Sequence, residues 1–211
     1  MGKFSTAQDA FEFYYKKIST KGEASSGTRY LQNIGFYISN PLQNKINTKY
    51  RNWKEDYAAT EWEWYLSKNR SVSEIKKKAK IWDSMHHGDD IVNSNYGYQW
   101  GRNNQLQYVI DELIRNKDSR RAVITIYDGK EHEMHSLDTP CTLNVVFSIS
   151  NEKLNMSVLM RSNDLWYGFC NDQYCFSLLL KLIADKLGIE IGWYYHFANN
   201  LHLYENFLHR D

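Results

Sequence analysis

Three segments in the second half of the chain carry side chains that could do chemistry. Cys141 opens an apolar stretch, Arg161 and Ser162 follow twenty residues later, and Arg120 and Arg121 form a pair before both. A cysteine thiolate is a nucleophile, and guanidinium groups bind anions such as phosphate. Taken singly, a cysteine is more often a small core residue, and an arginine pair is more often solvated charge. Only their combination indicates a site.

The bulk composition is that of a globular chain. It has 211 residues, 42% hydrophobic and 24% charged, which suits one domain spanning residues 1–211. A net charge of +1 argues against a nucleic-acid coat protein or a membrane-surface protein, but it allows a local pocket for one phosphate. The chain shows neither the ~20 apolar residues of a membrane span nor a secretory signal at its start. Three cysteines without disulfide-framework or zinc-type spacing predict a reducing cytoplasm and no metal.

The elements that must position these side chains are predicted from hydrophobic periodicity. Helical spacing predicts helices over Ala7–Ile18 behind a Ser5–Gln8 capping box, Thr60–Leu66, Ser71–Ile81, Asn103–Arg115 and Tyr174–Leu187, the last closed by Gly188. Runs of β-branched and apolar residues predict strands over Tyr30–Ser39, Ala122–Tyr127, Leu143–Ile149, Leu154–Leu159 and Ile189–Phe197. Ser150–Lys153 is expected to be a hairpin turn and Gly22–Gly27 a loop. Helices first and antiparallel-looking strands later predict an α+β fold.

Five motifs along the chain resemble those of the thymidylate synthase superfamily, in its order and spacing. They are SNYGYQW at 94–100, DSRRAVITIY at 118–127, PCTLNVVFSI at 140–149, MRSNDLWYGFCND at 160–172 and NNLHLYENF at 199–207. The resemblance is strongest from Tyr96 to Tyr204, about half the chain. It implies a mixed β-sheet flanked by helices, with the sheets of two subunits packing in an obligate homodimer. It also implies transfer of a one-carbon unit from 5,10-methylenetetrahydrofolate to C5 of a pyrimidine nucleotide.

The resemblance gives the first three segments their roles. C5 of a pyrimidine is a poor nucleophile until a thiolate adds at C6 and makes the ring enolate-like. Cys141 matches that nucleophile, and Arg161 is the expected arginine that favours its thiolate form. Arg161 and Ser162 also match phosphate-binding residues. Arg120 and Arg121 match a phosphate-binding pair that the partner subunit contributes.

Proton transfer and the co-substrate involve a second group of residues. Glu61 matches the family's general acid/base glutamate, which moves protons at the C4 substituent of the base, and Glu63 is its rival. Trp82 and Tyr96 match aromatic positions that line the cofactor and proton-transfer site, where an aromatic wall excludes water.

The sugar and the pterin have their own matches. His202 and Tyr204 match the pair that hydrogen-bonds the sugar 3′-hydroxyl. Asp164 matches the aspartate that contacts the pterin of the folate, and Gly168 lies with it on the cofactor side.

The chain departs from the family pattern in several places. The expected phosphate-loop arginine aligns with Ser25, and Arg29 is the nearby candidate to replace it. Thr142 stands where synthases often have His, and Met85 where they often have a second Trp. The sequence ends at Asp211, soon after the last motif, where family members usually continue into a tail that closes over the folate.

Asp172 distinguishes the substrates best. True synthases have Asn there, whose amide accepts from uracil N3–H and donates to O4. A carboxylate instead accepts from the C4 amino group of cytosine and shares a proton with N3, whereas it would oppose uracil O4. Counting from Arg161 places Asp172, rather than Asn171, at this position. The prediction is dCMP hydroxymethylation, similar to the phage-type hydroxymethylases. Methylation of dCMP, use of CMP or dUMP, and a non-catalytic nucleotide-binding relative are the alternatives.

Overall fold

The computed structural model of the chain describes residues 2–132 and 137–210. Within these residues the strands are β1 (Gly2–Phe4), β2 (Glu23–Ser25), β3 (Thr28–Ile38), β4 (Val123–Thr125), β5 (Thr142–Ser150), β6 (Lys153–Met160), β7 (Asn163–Asp164) and β8 (Glu190–Tyr204). The α-helices are α1 (Ala7–Lys21), α2 (Glu55–Ser67), α3 (Tyr96–Gly101), α4 (Gln105–Arg115), α5 (Gly129–His132) and α6 (Cys170–Leu187). A π-helical turn, Leu165–Phe169, leads into α6.

These strands form one mixed sheet. Their order is β1-β3-β8-β6-β5-β4, with β2 beside β3 and β7 beside β8. The pairs β1–β3, β6–β8 and β7–β8 are parallel. The pairs β2–β3, β3–β8, β5–β6 and β4–β5 are antiparallel. The predicted mixed sheet flanked by helices is confirmed.

The two faces of the sheet differ in exposure, because neighbouring residues of a strand point to opposite faces. One cross-sheet row is wholly buried: Phe36, His196, Val158, Val145 and Ile124. The next row is only partly covered: Tyr37, Tyr195, Ser157, Val146 and Val123. The Tyr14 ring of α1 lies 4.7 Å from the Phe36 ring, so the helices cover the first face. The second face is called the open face below.

Helix α1 begins where the sequence predicts. Its capping box uses Thr6 and Asp9: the Thr6 hydroxyl accepts from Asp9 N, and the Asp9 carboxylate accepts from Thr6 N. The predicted box one residue earlier, Ser5 with Gln8, is therefore wrong in register. The predicted apolar stripe is confirmed, since Ala7, Ala10, Phe11, Tyr14 and Ile18 are all buried.

The sheet contains two hairpins, one formed by β5 and β6 and the other by β2 and β3. The predicted turn between β5 and β6 is confirmed, with Asn151 and Glu152 both in the left-handed region at φ 51° and 57°. The predicted loop over Gly22–Gly27 is wrong, because β2 pairs with β3 through a tight turn at Ser26 and Gly27. Both turn residues have positive φ, which suits a two-residue hairpin.

The predicted helix over Ser71–Ile81 is wrong. Only two short 3₁₀ turns form there, Ile75–Lys77 and Lys80–Ser84, separated by extended backbone at Ala79. Long-range pairing draws this segment out of a helix: Val72 N donates to the Asp90 carbonyl, and Lys76 Nζ lies 2.7 Å from the Asp90 carboxylate.

The remaining helices and strands lie where the sequence predicts them, but their bounds differ from the predicted ones. Helix α2 begins at Glu55, ahead of the predicted Thr60, and β4 is shorter than predicted. Helix α4 begins only at Gln105 because Asn103 and Asn104 have left-handed backbone, and its predicted apolar residue Ile114 is 67% exposed. Helix α6 ends at Gly188 as predicted, with φ 67°.

No helix of the described residues is long and apolar enough to cross a bilayer. These residues also bring together no group of three or more His, Cys, Asp or Glu side chains that could hold a metal ion. Cys141, Cys170 and Cys175 are free thiols.

Candidate active site

Cys141 lies immediately before β5, with its side chain partly buried. Arg161 holds this segment in place. Its backbone N donates to the Cys141 carbonyl at 2.8 Å, its Nε to the Pro140 carbonyl at 3.1 Å and its Nη2 to the Thr139 carbonyl at 2.7 Å. The structure therefore brings the predicted nucleophile and its predicted arginine together.

The protonation of Cys141 reflects two opposed effects. Burial raises the pKa of the thiol to about 11, the Arg161 charge lowers it, and the Asp172 charge raises it further. Arg161 lowers the pKa of the thiol, as expected, but burial raises it by more. In the absence of substrate the sulfur is therefore a thiol at neutral pH.

Glu61 faces inward from α2, one turn from the buried Ala58 and Trp64, and is itself buried. Its Oε1 accepts from the Tyr57 hydroxyl at 3.2 Å, and that hydroxyl accepts from Trp82 Nε1 at 3.1 Å. Its Oε2 is buried, and the Tyr65 hydroxyl is near enough to lower the pKa of Glu61 as a second donor. Burial, with the nearby Asp172 charge, raises the pKa of Glu61 to about 8.

Two further sequence predictions concern α2 and its surroundings. Glu63, the rival glutamate, is exposed. Trp82 is buried, with its ring edge-on to Trp64 at 5.1 Å, and it acts on Glu61 through Tyr57. The Tyr96 ring is buried and stacks on Phe176 at 5.6 Å.

Asp172 lies in the first turn of α6 and is partly buried. Asn163 Nδ2 donates to Asp172 Oδ2 at 2.8 Å. Burial raises the pKa of Asp172 to about 7, against the lowering effect of this hydrogen bond. The neighbouring Asn171 is directed elsewhere, since its Oδ1 accepts from Trp53 Nε1 at 2.8 Å.

A chain of buried hydrogen bonds continues behind Asn163. Asn163 Oδ1 lies 3.1 Å from His196 Nε2, and His196 Nδ1 lies 2.8 Å from the Tyr194 hydroxyl. Burial lowers the pKa of His196 to about 3, so the ring is neutral near physiological pH. One nitrogen of a neutral imidazole donates and the other accepts.

Asp164 is already engaged with the backbone. Its two carboxylate oxygens accept from Trp166 N at 3.0 Å and Tyr167 N at 2.8 Å, capping the π-helical turn. Gly168 lies in that turn, where an added Cβ would come 2.9 Å from Asn163 Nδ2. The Tyr167 ring beside them is 52% exposed and offers a flat surface to a ligand.

The predicted sugar-binding pair lies next to this turn. Asp164 pairs with His202 across β7 and β8, and the Tyr204 ring packs edge-on against His202 at 5.5 Å. Burial lowers the pKa of His202, against the charge of Asp164. Burial raises the pKa of Tyr204, and the charges of Asp164 and Cys141 raise it further.

The remaining predicted phosphate ligands are arranged differently. Arg120 and Arg121 are exposed, and Arg121 N donates to the Ser119 hydroxyl, which donates to the buried Glu112 carboxylate. Ser162, beside Arg161, is partly buried.

Arg29 is held against α1. Its Nη1 donates to the Ser19 carbonyl at 3.4 Å, so the contact that the structure shows for its guanidinium is with the end of that helix. Its proposed part in phosphate binding remains a prediction.

Sequence reasoning missed the residues behind the two carboxyls. Tyr57 lies four residues before Glu61, but the predicted helix began after it. His196 is a polar residue at an inward position of a predicted strand, and that alternation was a usable signal. Asn163 lay inside a recognised motif without a role.

The arrangement combines groups suited to covalent chemistry on a flat polar ring. A partly buried thiol lies near an arginine and the Asp172 carboxyl, and the Glu61 carboxyl lies near Asp172 in turn. The pKa values of both carboxyl groups lie near neutrality. Such groups exchange protons near pH 7 while the sulfur adds to and leaves a carbon atom.

Comparisons with known proteins identify the family and the fold. A family model described as thymidylate synthase matches residues 10–210. A thymidylate synthase of Fusobacterium nucleatum is 30% identical over 200 residues, which cover 89% of this chain and 71% of that protein. A deoxyuridylate hydroxymethyltransferase of Bacillus phage SP01 is 30% identical over 183 residues, covering 79% of this chain and 48% of that protein. The solved structure of the thermostable thymidylate synthase A from Bacillus subtilis has the same fold. It matches with a TM-score of 0.78 and 21% identity, over 94% of this chain and 80% of that one.

Proposed function

The chain belongs to the thymidylate synthase family, and we propose that it converts dCMP to 5-hydroxymethyl-dCMP. The family transfers a one-carbon unit from 5,10-methylenetetrahydrofolate to C5 of a pyrimidine nucleotide. The choice of dCMP, the hydroxymethyl product, the site residues and the dimer are the proposal. The observation that carries it is the position of the Asp172 carboxyl, whose charge adds to burial in raising the pKa values of both Glu61 and Cys141.

The base would be read by Asp172 in its protonated form. With one oxygen as hydroxyl and the other as carbonyl, the acid donates to N3 of cytosine and accepts from the C4 amino group. A pKa raised to about 7 keeps that proton available at neutral pH. Asn163 already donates to Oδ2, so Oδ1 is the oxygen that carries the proton.

The covalent step belongs to Cys141. The sulfur adds to C6 as its proton is lost, and C5 becomes nucleophilic toward the one-carbon unit. The C5 proton is then removed while the sulfur is still on C6, and the sulfur leaves last, when water has added to the exocyclic methylene carbon and the C5–C6 double bond re-forms. Arg161 lowers the pKa of the thiol and fixes the backbone that carries it. Glu61, buried beside the Tyr57 hydroxyl, would move protons at the C4 substituent.

The folate fits the donor set that surrounds this site. Tyr167 presents an exposed ring, and Asp164 and Gly168 lie in the same turn. When bound, 5,10-methylenetetrahydrofolate supplies the one-carbon unit. Water adding to the resulting exocyclic methylene of the base gives hydroxymethyl. Thr142 beside the nucleophile and Met85 loosen the match to a methylating enzyme.

We propose that phosphate binding requires a homodimer. Arg161 and Ser162 would hold the phosphate from one subunit, and Arg120 and Arg121 from the other. The open face supports this assembly, because its row of half-covered tyrosine and valine side chains would be buried against a second copy. The expected compartment is the cytoplasm, of a bacterial host if the chain is phage-encoded, where the product would serve phage DNA modification.

A second candidate is hydroxymethylation of dUMP. It is favoured by the relative from Bacillus phage SP01, whose name is deoxyuridylate hydroxymethyltransferase. A protonated Asp172 could also donate to uracil O4 and accept from N3–H. The two candidates differ in which oxygen of the carboxyl faces N3.

Tritium release from 5-tritiated nucleotides tests the function. With methylenetetrahydrofolate, dCMP should release tritium faster than dUMP, and mass spectrometry should identify a hydroxymethyl product. Release from dUMP alone would refute the use of Asp172 for cytosine. A methyl product would refute hydroxymethylation, and no release from either nucleotide would leave only a binding protein.

A further inference from the structure

We infer that Asn163 determines base selectivity, by fixing which oxygen of Asp172 carries the proton, and that His196 and Tyr194 fix the orientation of Asn163. This inference rests on the proposed role of Asp172 in reading the base. It assigns a positioning role to three residues that are joined to Asp172 by a series of hydrogen bonds.

The direction of the hydrogen bonds that run from Tyr194 to Asp172 follows from the Tyr194 hydroxyl. Tyr194 is fully buried, and a buried hydroxyl whose hydrogen finds no acceptor is destabilising. The hydroxyl therefore donates to His196 Nδ1, 2.8 Å away. Because the imidazole is neutral, its proton is then on Nε2.

The same logic continues to the carboxyl. His196 Nε2–H donates to Asn163 Oδ1 at 3.1 Å, so the amide cannot turn over without losing this bond. Asn163 Nδ2 then points at Asp172 Oδ2. An amide nitrogen donates and does not accept, so Oδ2 is the acceptor of this bond. The carbonyl oxygen of an acid accepts more strongly than its hydroxyl oxygen, so this bond favours the proton on Oδ1. Every donor in the chain points toward Asp172.

The surrounding packing leaves the amide no alternative position. The His196 ring is enclosed by Phe36 at 5.2 Å and Phe169 at 5.1 Å. Gly168 covers the Asn163–Asp172 contact, where an added Cβ would come 2.9 Å from Asn163 Nδ2 and 3.4 Å from Asp172 Oδ2. The amide is therefore held by both hydrogen bonds and space.

The consequence for the substrate is specific. With the hydroxyl on one defined oxygen, Asp172 matches one base in one orientation and mismatches the other base. An Asp172 free to carry its proton on either oxygen would match cytosine or uracil equally. Removing the hydrogen bonds that link Tyr194, His196 and Asn163 should relax the selectivity between dCMP and dUMP rather than abolish catalysis.

The experiment measures kcat/KM for dCMP and for dUMP in wild type, Asn163→Ala and Tyr194→Phe. We expect the ratio to move toward unity by about tenfold in Asn163→Ala and by a smaller factor in Tyr194→Phe. Asn155→Ala is the matched control. Asn155 is equally buried, donates to the Ser150 hydroxyl and accepts from Trp193 N, and its variant should keep the wild-type ratio.

A wild-type ratio retained in Tyr194→Phe and in a folded Asn163→Ala would overturn the inference. If Asn163→Ala does not fold, Tyr194→Phe decides, since it keeps the ring. A wild type that prefers dUMP would refute the proposed function, but a ratio that still moves toward unity in the variants would support this inference. If the wild type turns over neither nucleotide, the ratio of the two dissociation constants by calorimetry gives the same readout.

Discussion

The carboxyl groups of Glu61 and Asp172 face the same interior space, and the charge of Asp172 raises the pKa of Glu61. Burial is the larger cause for both, and it raises their pKa values to about 8 and about 7. Each group is held by a donor that itself belongs to a longer chain, Tyr57 on one side and Asn163 on the other. Two acids that keep their protons near neutral pH are useful to a reaction, but they oppose stability once they ionise.

Glu61→Gln should therefore stabilise the protein increasingly as pH rises. The folded pKa of Glu61 is raised, so stability is present at low pH and is lost as pH rises from about 4.5 through about 8. Glutamine cannot ionise, so the stability of the variant relative to wild type should increase across this pH window. Each kcal/mol of that difference should raise Tm by roughly 2–4 °C. Thermal unfolding from pH 5 to pH 8 measures this gain. Glu63→Gln on the exposed side of α2 is the control, and equal pH slopes in Glu61→Gln and wild type would contradict the prediction.

Cys141→Ser should abolish turnover and keep nucleotide binding. Serine is nearly isosteric but a far weaker nucleophile and leaving group at this site, so no C6 adduct should form. Tritium release measures turnover, and calorimetry with the nucleotide measures binding. Cys175→Ser is a suitable control, because Cys175 is a buried free thiol bonded to the Ala58 carbonyl. Residual turnover above background in Cys141→Ser would argue against the covalent mechanism.

Asp172→Asn should move the preference from dCMP toward dUMP. An amide donates to O4 and accepts from N3–H of uracil, and it opposes the amino group of cytosine, a mismatch of roughly 100-fold or more in a desolvated pocket. The kcat/KM ratio of the two nucleotides measures the shift. Asn171→Asp, on the neighbouring side chain bonded to Trp53, should leave the ratio unchanged. A ratio that is insensitive to Asp172→Asn would show that this carboxyl does not read the base.

Cys141 should react slowly with iodoacetamide at neutral pH, and faster as pH approaches the thiol pKa of about 11. Cys170 and Cys175 are fully buried, so mass spectrometry of the folded protein should find the label on Cys141. Arg161→Gln should slow labelling several-fold at a fixed pH, because the charge that lowers the thiol pKa is gone. Arg161→Lys keeps that charge and should react close to wild type. Equal rates in the Gln and Lys variants would mean that the Arg161 charge has no influence.

The proposed shared phosphate site predicts complementation between inactive variants. Arg121→Ala and Cys141→Ser should each be inactive alone. Mixed and refolded together, they should form heterodimers in which one site carries both defects and the other carries neither, giving about a quarter of wild-type activity. Arg29→Ala in place of Arg121→Ala tests whether Arg29 acts in the same subunit as Cys141. Persistent inactivity of a mixture shown to contain heterodimers would refute the shared site.

Local patterns predicted the elements that are stabilised locally. The capped start of α1, the turn at Asn151 and Glu152, and the end of α6 at Gly188 each depend on residues close in sequence. The segment over 71–81 did not follow its pattern, because Val72 and Lys76 pair with Asp90, far along the chain. Hydrophobic periodicity within one segment does not predict pairing with another segment.

The candidate site shows the same division. Cys141, Arg161 and Asp172 are predicted from motifs that resemble those of the thymidylate synthase family. The supporting residues were missed because their partners are remote: Trp82 is 25 residues from Tyr57, and His196 is 33 from Asn163. The protonation of Cys141 also lay beyond the sequence, because it depends on how deeply the sulfur is buried.

Gly168 has a consequence for how this protein can vary. An added methyl group there would lie 2.9 Å from Asn163 Nδ2, closer than two such atoms approach. A chain that acquires alanine at 168 must first lose or shorten the side chain at 163, so the two positions should change together across natural or selected variants. A substitution at position 168 is thereby linked to the choice of nucleobase. The pair of residues at positions 163 and 168 should then distinguish related enzymes by the base that they prefer.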